Sequence, residues 1–172
     1  MRHTISILVE NKFGVLTRIA GMFSGRGFNI ESLSVAETLD PTVSRITLVT
    51  HGDDQVVEQI EKQLNKLVPV IKVTDFADTA HVERELVLIK VTADDASRSE
   101  LLNIVDIFRA KIVDVSRRTF IVEATGAEEK VNALIALLQP IGIKEIVRTG
   151  RVAMLRGAET FALDGNDKER AA

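Results

Sequence analysis

The chain has 172 residues, 45% of them apolar, with 22 basic and 25 acidic side chains and a net charge of −3. That length and composition exclude a disordered chain and allow one ordinary domain or two small ones, while the mixed charge offers no field for a polyanion. The absence of cysteine excludes disulfides and thiolate chemistry, and no apolar run reaches the ~18 residues of a membrane span, so a soluble cytoplasmic protein is expected. Met1-Arg2-His3-Thr4 leads into a strand pattern broken by Glu10, unlike the apolar run of a signal peptide.

Ile5, Ile7 and Val9 alternate with Ser6 and Leu8, which predicts a strand with one strongly buried face. Val15, Ile19, Met22 and Phe23 recur at helical spacing, and Gly25 and Gly27 offer left-handed positions to end that helix. Phe28 to Glu37 reads as a second strand, Asp40-Pro41-Thr42 as a turn, and Ser44 to Thr50 as the partner strand. Asp53 can cap a helix whose Val56, Ile60, Leu64 and Leu67 share a face, and Val70 to Phe76 closes a βαββαβ unit.

The apolar period then lapses and returns in the same order. Val87, Ile89 and Val91 alternate, and Ser97 with Glu100 spells a capping box before Leu101, Ile104, Val105 and Phe108. Ile112 to Ser116 and Thr119 to Ala124 read as paired strands. Thr125 with Glu128 caps a helix carrying Val131, Leu134, Ile135 and Leu138, Pro140 and Gly142 stop it, and Ile143 to Thr149 is the last strand. The division is a domain at 1–77, a linker at 78–85, a second domain at 86–156 and a mobile, charged tail at 157–172. The fold class is α+β: two tandem βαββαβ domains with antiparallel sheets.

No catalytic constellation emerges. His3, His51 and His81 lack metal-ligand spacing, and Ser24-Gly25-Arg26-Gly27 follows a helix, whereas a phosphate cradle precedes one. The βαββαβ order is shared with RNA-recognition modules, but those stack bases on aromatic residues of their central strands. Here these strands hold none, and the chain has no Tyr or Trp, so no nucleic-acid partner is expected. The strongest signal is Asn11-Lys12-Phe13-Gly14-Val15-Leu16, a glycine turn joining strand to helix. The unpaired first-turn amides and the positive end of the helix dipole suit a small carboxylate, and Gly14 permits close approach. Asn29 reads either as a turn residue or as a ligand contact, able to donate to a carboxylate and accept from an ammonium; Asn11 reads either as a helix-entry cap or as a ligand contact. The second copy has Ala93-Asp94-Asp95-Ala96 at the matching turn and Lys111-Ile112-Val113-Asp114 at the later junction. A demand of the fold alone would be expected in both copies, so a ligand site in the first unit is favoured.

Val9-Glu10-Asn11-Lys12-Phe13-Gly14-Val15-Leu16-Thr17-Arg18, continued by Phe23-Ser24-Gly25-Arg26-Gly27-Phe28-Asn29-Ile30-Glu31-Ser32-Leu33, resembles the amino-terminal ACT domain of the small, regulatory subunits of acetolactate synthase. The resemblance runs through Gln59-Ile60-Glu61-Lys62-Gln63-Leu64 and His81-Val82-Glu83-Arg84-Glu85-Leu86 and covers residues 1–156. It implies ferredoxin-like, ACT-type domains and a non-catalytic subunit that activates a large catalytic subunit and makes it sensitive to branched-chain amino acids, usually valine. Thiamine diphosphate, magnesium and FAD would belong to that partner, with no cofactor on this chain. The family's effector sits at a homodimer interface, so Asn11, Gly14, Val15 and Leu16 of one chain would face Asn29 and Ile30 of the other. A free-standing ACT-type sensor of another enzyme or a transcription factor is the alternative, and a small enzyme the third.

Overall fold

A computed structural model describes residues 1–163. The chain divides into two units, Met1–Val82 together with the chain from Arg151, and Glu83–Gly150. In the first, the elements run β1 (Arg2–Glu10), α1 (Val15–Gly25), β2 (Ser32–Glu37), β3 (Val43–His51), α2 (Asp54–Leu64) and β4 (Val70–Asp75). The sheet order is β2-β3-β1-β4, with β1 antiparallel to β3 from Arg2 opposite His51 to Glu10 opposite Val43. The strand β2 forms one edge, in unbroken register with β3.

Ile5, Ile7 and Val9 of β1 and Ile46 and Leu48 of β3 pack against Val15, Ile19 and Phe23 of α1 and Val57, Ile60 and Leu64 of α2. Alternation in the strands and 3.6-residue spacing in the helices meet in one core. The chain leaves α1 through Gly27, whose φ of 73° few side chains tolerate. There Phe28 N–H donates to Phe23 O at 3.0 Å and Gly27 N–H to Ser24 O at 3.2 Å, while the Phe23 and Phe28 rings meet edge to face. This is a Schellman ending with its hydrophobic contact. Asp53 Oδ1 accepts the Val56 N–H at 2.9 Å and starts α2 as expected.

Two differences from the sequence reading concern the other sheet face and the end of the chain. Both faces of β1 are buried: Ser6 and Leu8 are as enclosed as their neighbours. Leu8, Val43, Ile71 and Phe76 form a second core with Ala153 and Phe161, residues of the returning chain. Phe161 is 7% exposed, its ring edge-on to Phe76, with the Arg45 guanidinium 5.1 Å and Lys72 Nζ 5.6 Å from its centroid. Arg45 also donates from Nη2 to the Phe161 carbonyl at 3.2 Å and from Nε to Ser6 Oγ at 3.0 Å. By its contacts the second unit closes at Gly150, and Phe161 and Leu163 of the expected mobile tail pack on the core of the first unit. The rest of that tail lies outside the described residues.

The second unit repeats the order as β5 (His81–Thr92), α3 (Arg98–Ile107), β6 (Lys111–Val115), β7 (Thr119–Gly126), α4 (Glu128–Gly142) and β8 (Ile143–Arg148), in the sheet order β6-β7-β5-β8. A short β9 (Val152–Leu155) follows, and β5 already starts inside the stretch read as a linker. Val87, Ile89 and Val91 pack against Leu101, Ile104 and Val105 of α3 and Val131, Leu134 and Leu138 of α4. The expected Ser97 cap is replaced: Asp94 Oδ1 accepts both Ser97 N–H at 2.8 Å and Ser97 Oγ at 2.6 Å, leaving the Ser97 side chain no part in capping α3. Thr125 does not cap α4 either, because it is still in β7 and Ala127 holds the cap position. Pro140 lies inside α4 rather than ending it; so close to the C-terminus its missing N–H removes one bond, and the helix runs on to Gly142.

Candidate functional site

The end of β1 and the start of α1 are joined by a tight, self-bonded turn. Asn11 N–H donates to Thr42 O at 2.7 Å, Lys12 N–H to Glu10 O at 3.0 Å, and Val15 N–H to Lys12 O at 3.4 Å. Gly14 is the N-cap of α1 with φ 81°, in the left-handed region, and contributes no side-chain cap. Arg18 N–H is the first to close onto the helix, reaching Gly14 O at 3.0 Å. The N–H groups of Leu16 and Thr17 thus have no partner among the described residues. These two donors, at the positive end of an 11-residue helix, form an anion-favouring mouth.

Around that mouth the side chains differ in what they offer. Asn11 is exposed, and its Nδ2 donates to Glu37 Oε1 at 3.0 Å and Pro41 O at 2.9 Å. Leu16 is 42% exposed and presents an apolar surface, as does Val35 on β2. Val15 is 6% exposed and turned into the core, so its side chain is no wall for a ligand reached from solvent.

Asn29 is exposed at the other end of the sheet. Its carbonyl accepts from Thr50 Oγ1 at 2.7 Å, and Glu31 N–H donates to Val49 O at 2.8 Å. Ile30 is half-buried against the core. Thr50 lies opposite His3, whereas Asn11 follows the last residue of β1. Eight residues of strand at ~3.3 Å each separate the two places by about 26 Å. The structure therefore groups Asn11, Gly14, Val15 and Leu16 at one end of β1 and Asn29 and Ile30 at the other, and one chain does not bring them together. Beside Asn29 stands a network the sequence did not reveal: Glu31 bonds Arg2 through Oε1 and lies 3.1 Å from His51 Nδ1 through Oε2. Its members are distant in the chain, and no local pattern marks them.

The matching place in the second unit is filled from within. Ser97's two hydrogen bonds hold the Asp94 carboxyl below its ordinary range, so an intrinsic carboxylate sits where the first unit leaves amides open. The edges differ too: β6 carries a register break between Ile112 and Asp114, while β2 is regular. Among the described residues no group of three or more His, Cys, Asp or Glu side chains could hold a metal ion, and no helix is long and apolar enough to cross a membrane.

Tandem βαββαβ units, one with a glycine turn at the mouth of its first helix, define the ACT-type class of ferredoxin-like domains. Comparison with known proteins narrows this. The family model for an AHAS small subunit-like ACT domain matches residues 5–72, and that for the small subunit of acetolactate synthase matches residues 84–157. The chain is 57% identical over 157 residues to the "Probable acetolactate synthase small subunit" of Archaeoglobus fulgidus, covering 91% of this chain and 98% of that one. It is 53% identical over 156 residues to the acetolactate synthase small subunit of Aquifex aeolicus, covering 90% and 81%. The crystal structure of the acetolactate synthase small subunit of Thermotoga maritima superposes with a TM-score of 0.85 at 48% identity, covering 92% of this chain and 99% of that one. The chain belongs to the family of acetolactate synthase small subunits.

Proposed function

We propose that this chain is the regulatory subunit that activates a thiamine-diphosphate-dependent catalytic subunit and subjects it to feedback inhibition by valine. The observation that carries the reading is the position of the two half-sites at opposite ends of β1, with the regular edge strand β2 running between them. Ser32 opens β2 just after Asn29, and Glu37 closes it in contact with Asn11. Antiparallel pairing of β2 with β2 of a second copy, about a two-fold axis, sets the start of one strand against the end of the other. That brings Asn29 and Ile30 of one chain to the Gly14 mouth of its twin, twice per dimer.

In such a cleft the effector's carboxylate meets the Leu16 and Thr17 amides, and its isopropyl group meets Leu16 and Ile30. Val15 serves through the helix it begins, not through its side chain. Binding inhibits only to the extent that one arrangement of the assembly holds valine better than another, typically by about 1–3 kcal/mol. The chemistry is the partner's: thiamine diphosphate, magnesium and FAD reside on the catalytic subunit, in the cytoplasm, and this chain carries none of them.

The test is reconstitution. Acetolactate formation by the catalytic subunit is measured alone, with this chain, and with this chain plus valine, leucine or isoleucine. Activation followed by inhibition, valine acting at the lowest concentration, is expected. A catalytic rate indifferent to this chain at saturating concentration refutes the reading.

A further inference from the structure

Asn11 makes two hydrogen bonds from one atom. Its Nδ2 donates to Glu37 Oε1 at 3.0 Å and to the Pro41 carbonyl at 2.9 Å. Both of these oxygens can only accept, so chemistry fixes the orientation of the amide with its NH2 group inward. The carbonyl Oδ1 is left without a partner among the described residues, on a side chain exposed to solvent. An acceptor presented alone attracts a cationic donor and disfavours a carboxylate. A few residues away, the open N–H groups of Leu16 and Thr17 do the reverse. One half-site thus offers an acceptor-only end and a donor-only end, which is the arrangement a zwitterion requires.

We infer that Glu37 is a positioning residue that sets the polarity of this site: by holding Asn11 Nδ2 it turns Oδ1 toward the ammonium of an amino-acid ligand. The ligand's carboxylate then lies against the helix mouth. This inference rests on the effector reading above and adds to it the reason an amino acid is selected over the simple carboxylic acid of the same shape. Rotation of the Asn11 amide by half a turn would present NH2 outward and oppose two acceptor oxygens inward, at the loss of both bonds. Glu37 is also the last residue of β2, opposite Ser44. The orientation of Asn11 is therefore tied to the end of the edge strand.

Titration calorimetry on the full chain, with valine and with isovalerate as the analogue lacking the ammonium, tests this in wild type, Glu37→Ala and Glu37→Gln. Glu37 is exposed, so both variants should fold like wild type. Wild type should prefer valine by about 10- to 100-fold, the range for one hydrogen bond to a charged group. Glu37→Ala leaves Pro41 as the only anchor and should cut that preference at least about fivefold, chiefly by weakening valine. Glu37→Gln keeps an acceptor for Nδ2 and should stay within about twofold of wild type. A preference unchanged in Glu37→Ala overturns the positioning role while leaving the effector site standing. An equal loss in Glu37→Gln also overturns it, since charge rather than orientation would then matter. If wild type binds neither compound, the effector reading itself fails and this inference fails with it.

Discussion

Gly14 separates two requirements that one substitution usually confounds, and a pair of variants isolates them. A Cβ at Gly14 would meet no atom within 4 Å, so alanine fits without a clash and aspartate's branch point is free as well. Both inherit the left-handed φ of 81°, which costs an L-residue about 1–2 kcal/mol, somewhat less for aspartate. For a unit of this size that is a fall in melting temperature of about 4–8 °C per kcal/mol, nearly common to the two variants. Only aspartate places a second negative charge at the mouth. At ~4 Å from a ligand carboxylate the repulsion is about 1 kcal/mol in bulk water and about 4 kcal/mol at an effective dielectric constant of 20. Valine affinity should therefore drop by about five- to several-hundred-fold in Gly14→Asp beyond any drop in Gly14→Ala. Activation of the catalytic subunit should survive in both. Calorimetry with valine and acetolactate assays on the reconstituted enzyme read the two effects, and thermal melts supply the common strain. Equal valine affinity in the two variants would refute the assignment of the effector carboxylate to the helix mouth.

In a mixed dimer of Asn11→Ala and Asn29→Ala chains, one cleft carries both substitutions and the other neither, so calorimetry should find one valine site per dimer; loss of both sites would rule out a cross-chain cleft. Phe161→Ala removes a buried ring from the second core and should lower stability by about 3 kcal/mol in urea unfolding; an unchanged midpoint would mean the terminal segment does not stabilise the first unit. Burial, aided by the nearby charges of Asp75 and Glu58, raises the Glu61 carboxyl above its ordinary value. The folded chain therefore holds that proton more tightly than the unfolded chain, and stability falls as pH rises through the folded value. Glu61→Gln still accepts the Asp75 N–H, so it should melt higher than wild type at about pH 7 and lose the advantage toward about pH 4.

How far the sequence could be read follows from the range of each signal. Periodicity is local, and it located the strands and helices of both βαββαβ units, from Ile5-Ile7-Val9 to Val131-Leu134-Leu138, but not β9, whose four residues are too few to show a period. It failed at the start of β5, where Glu85 occupies a buried position because Arg148 donates to it from Nε at 3.0 Å and again from Nη2. A charged residue facing inward looks like a linker until its distant partner is known. The Ser97 capping box failed for a different reason: Asp94, three residues upstream, accepts the Ser97 N–H that Glu100 would have taken, and Ser97 already has helical backbone angles where a cap is extended. Phe161 was illegible altogether. A single phenylalanine among small and charged residues carries no period, and its partners Leu8, Val43, Ile71 and Phe76 all lie at the other end of the chain. In the site, Gly14 and Asn11 announced themselves as a strand-turn-helix motif, but the bonds that fix the Asn11 amide come from Glu37 and Pro41, which only the β2–β3 hairpin brings near.

The separation of the half-sites has a thermodynamic consequence that can be measured without the catalytic subunit. One amino acid cannot bridge the ~26 Å that eight residues of strand put between Asn11 and Asn29 of one chain, so the proposed site is complete only when two chains pair. A ligand that binds the dimer and not the monomer stabilises the dimer by RT ln(1 + [L]/Kd) at each site, about 2.7 kcal/mol at a hundred times Kd. Two equivalent clefts double this, and the dimer dissociation constant should fall by about four orders of magnitude at that concentration of valine. Sedimentation velocity over a dilution series, with and without valine, gives the shift. If the wild-type dimer is too tight to dissociate, Ala36→Lys, exposed on the edge strand and on the face opposite Leu33 and Val35, supplies a weakened one. Isovalerate, at the same concentration, should shift the dissociation much less. Valine that binds by calorimetry yet leaves the dissociation constant unchanged would mean that the monomer already holds a complete site, and the antiparallel pairing of β2 would have to be abandoned as its origin.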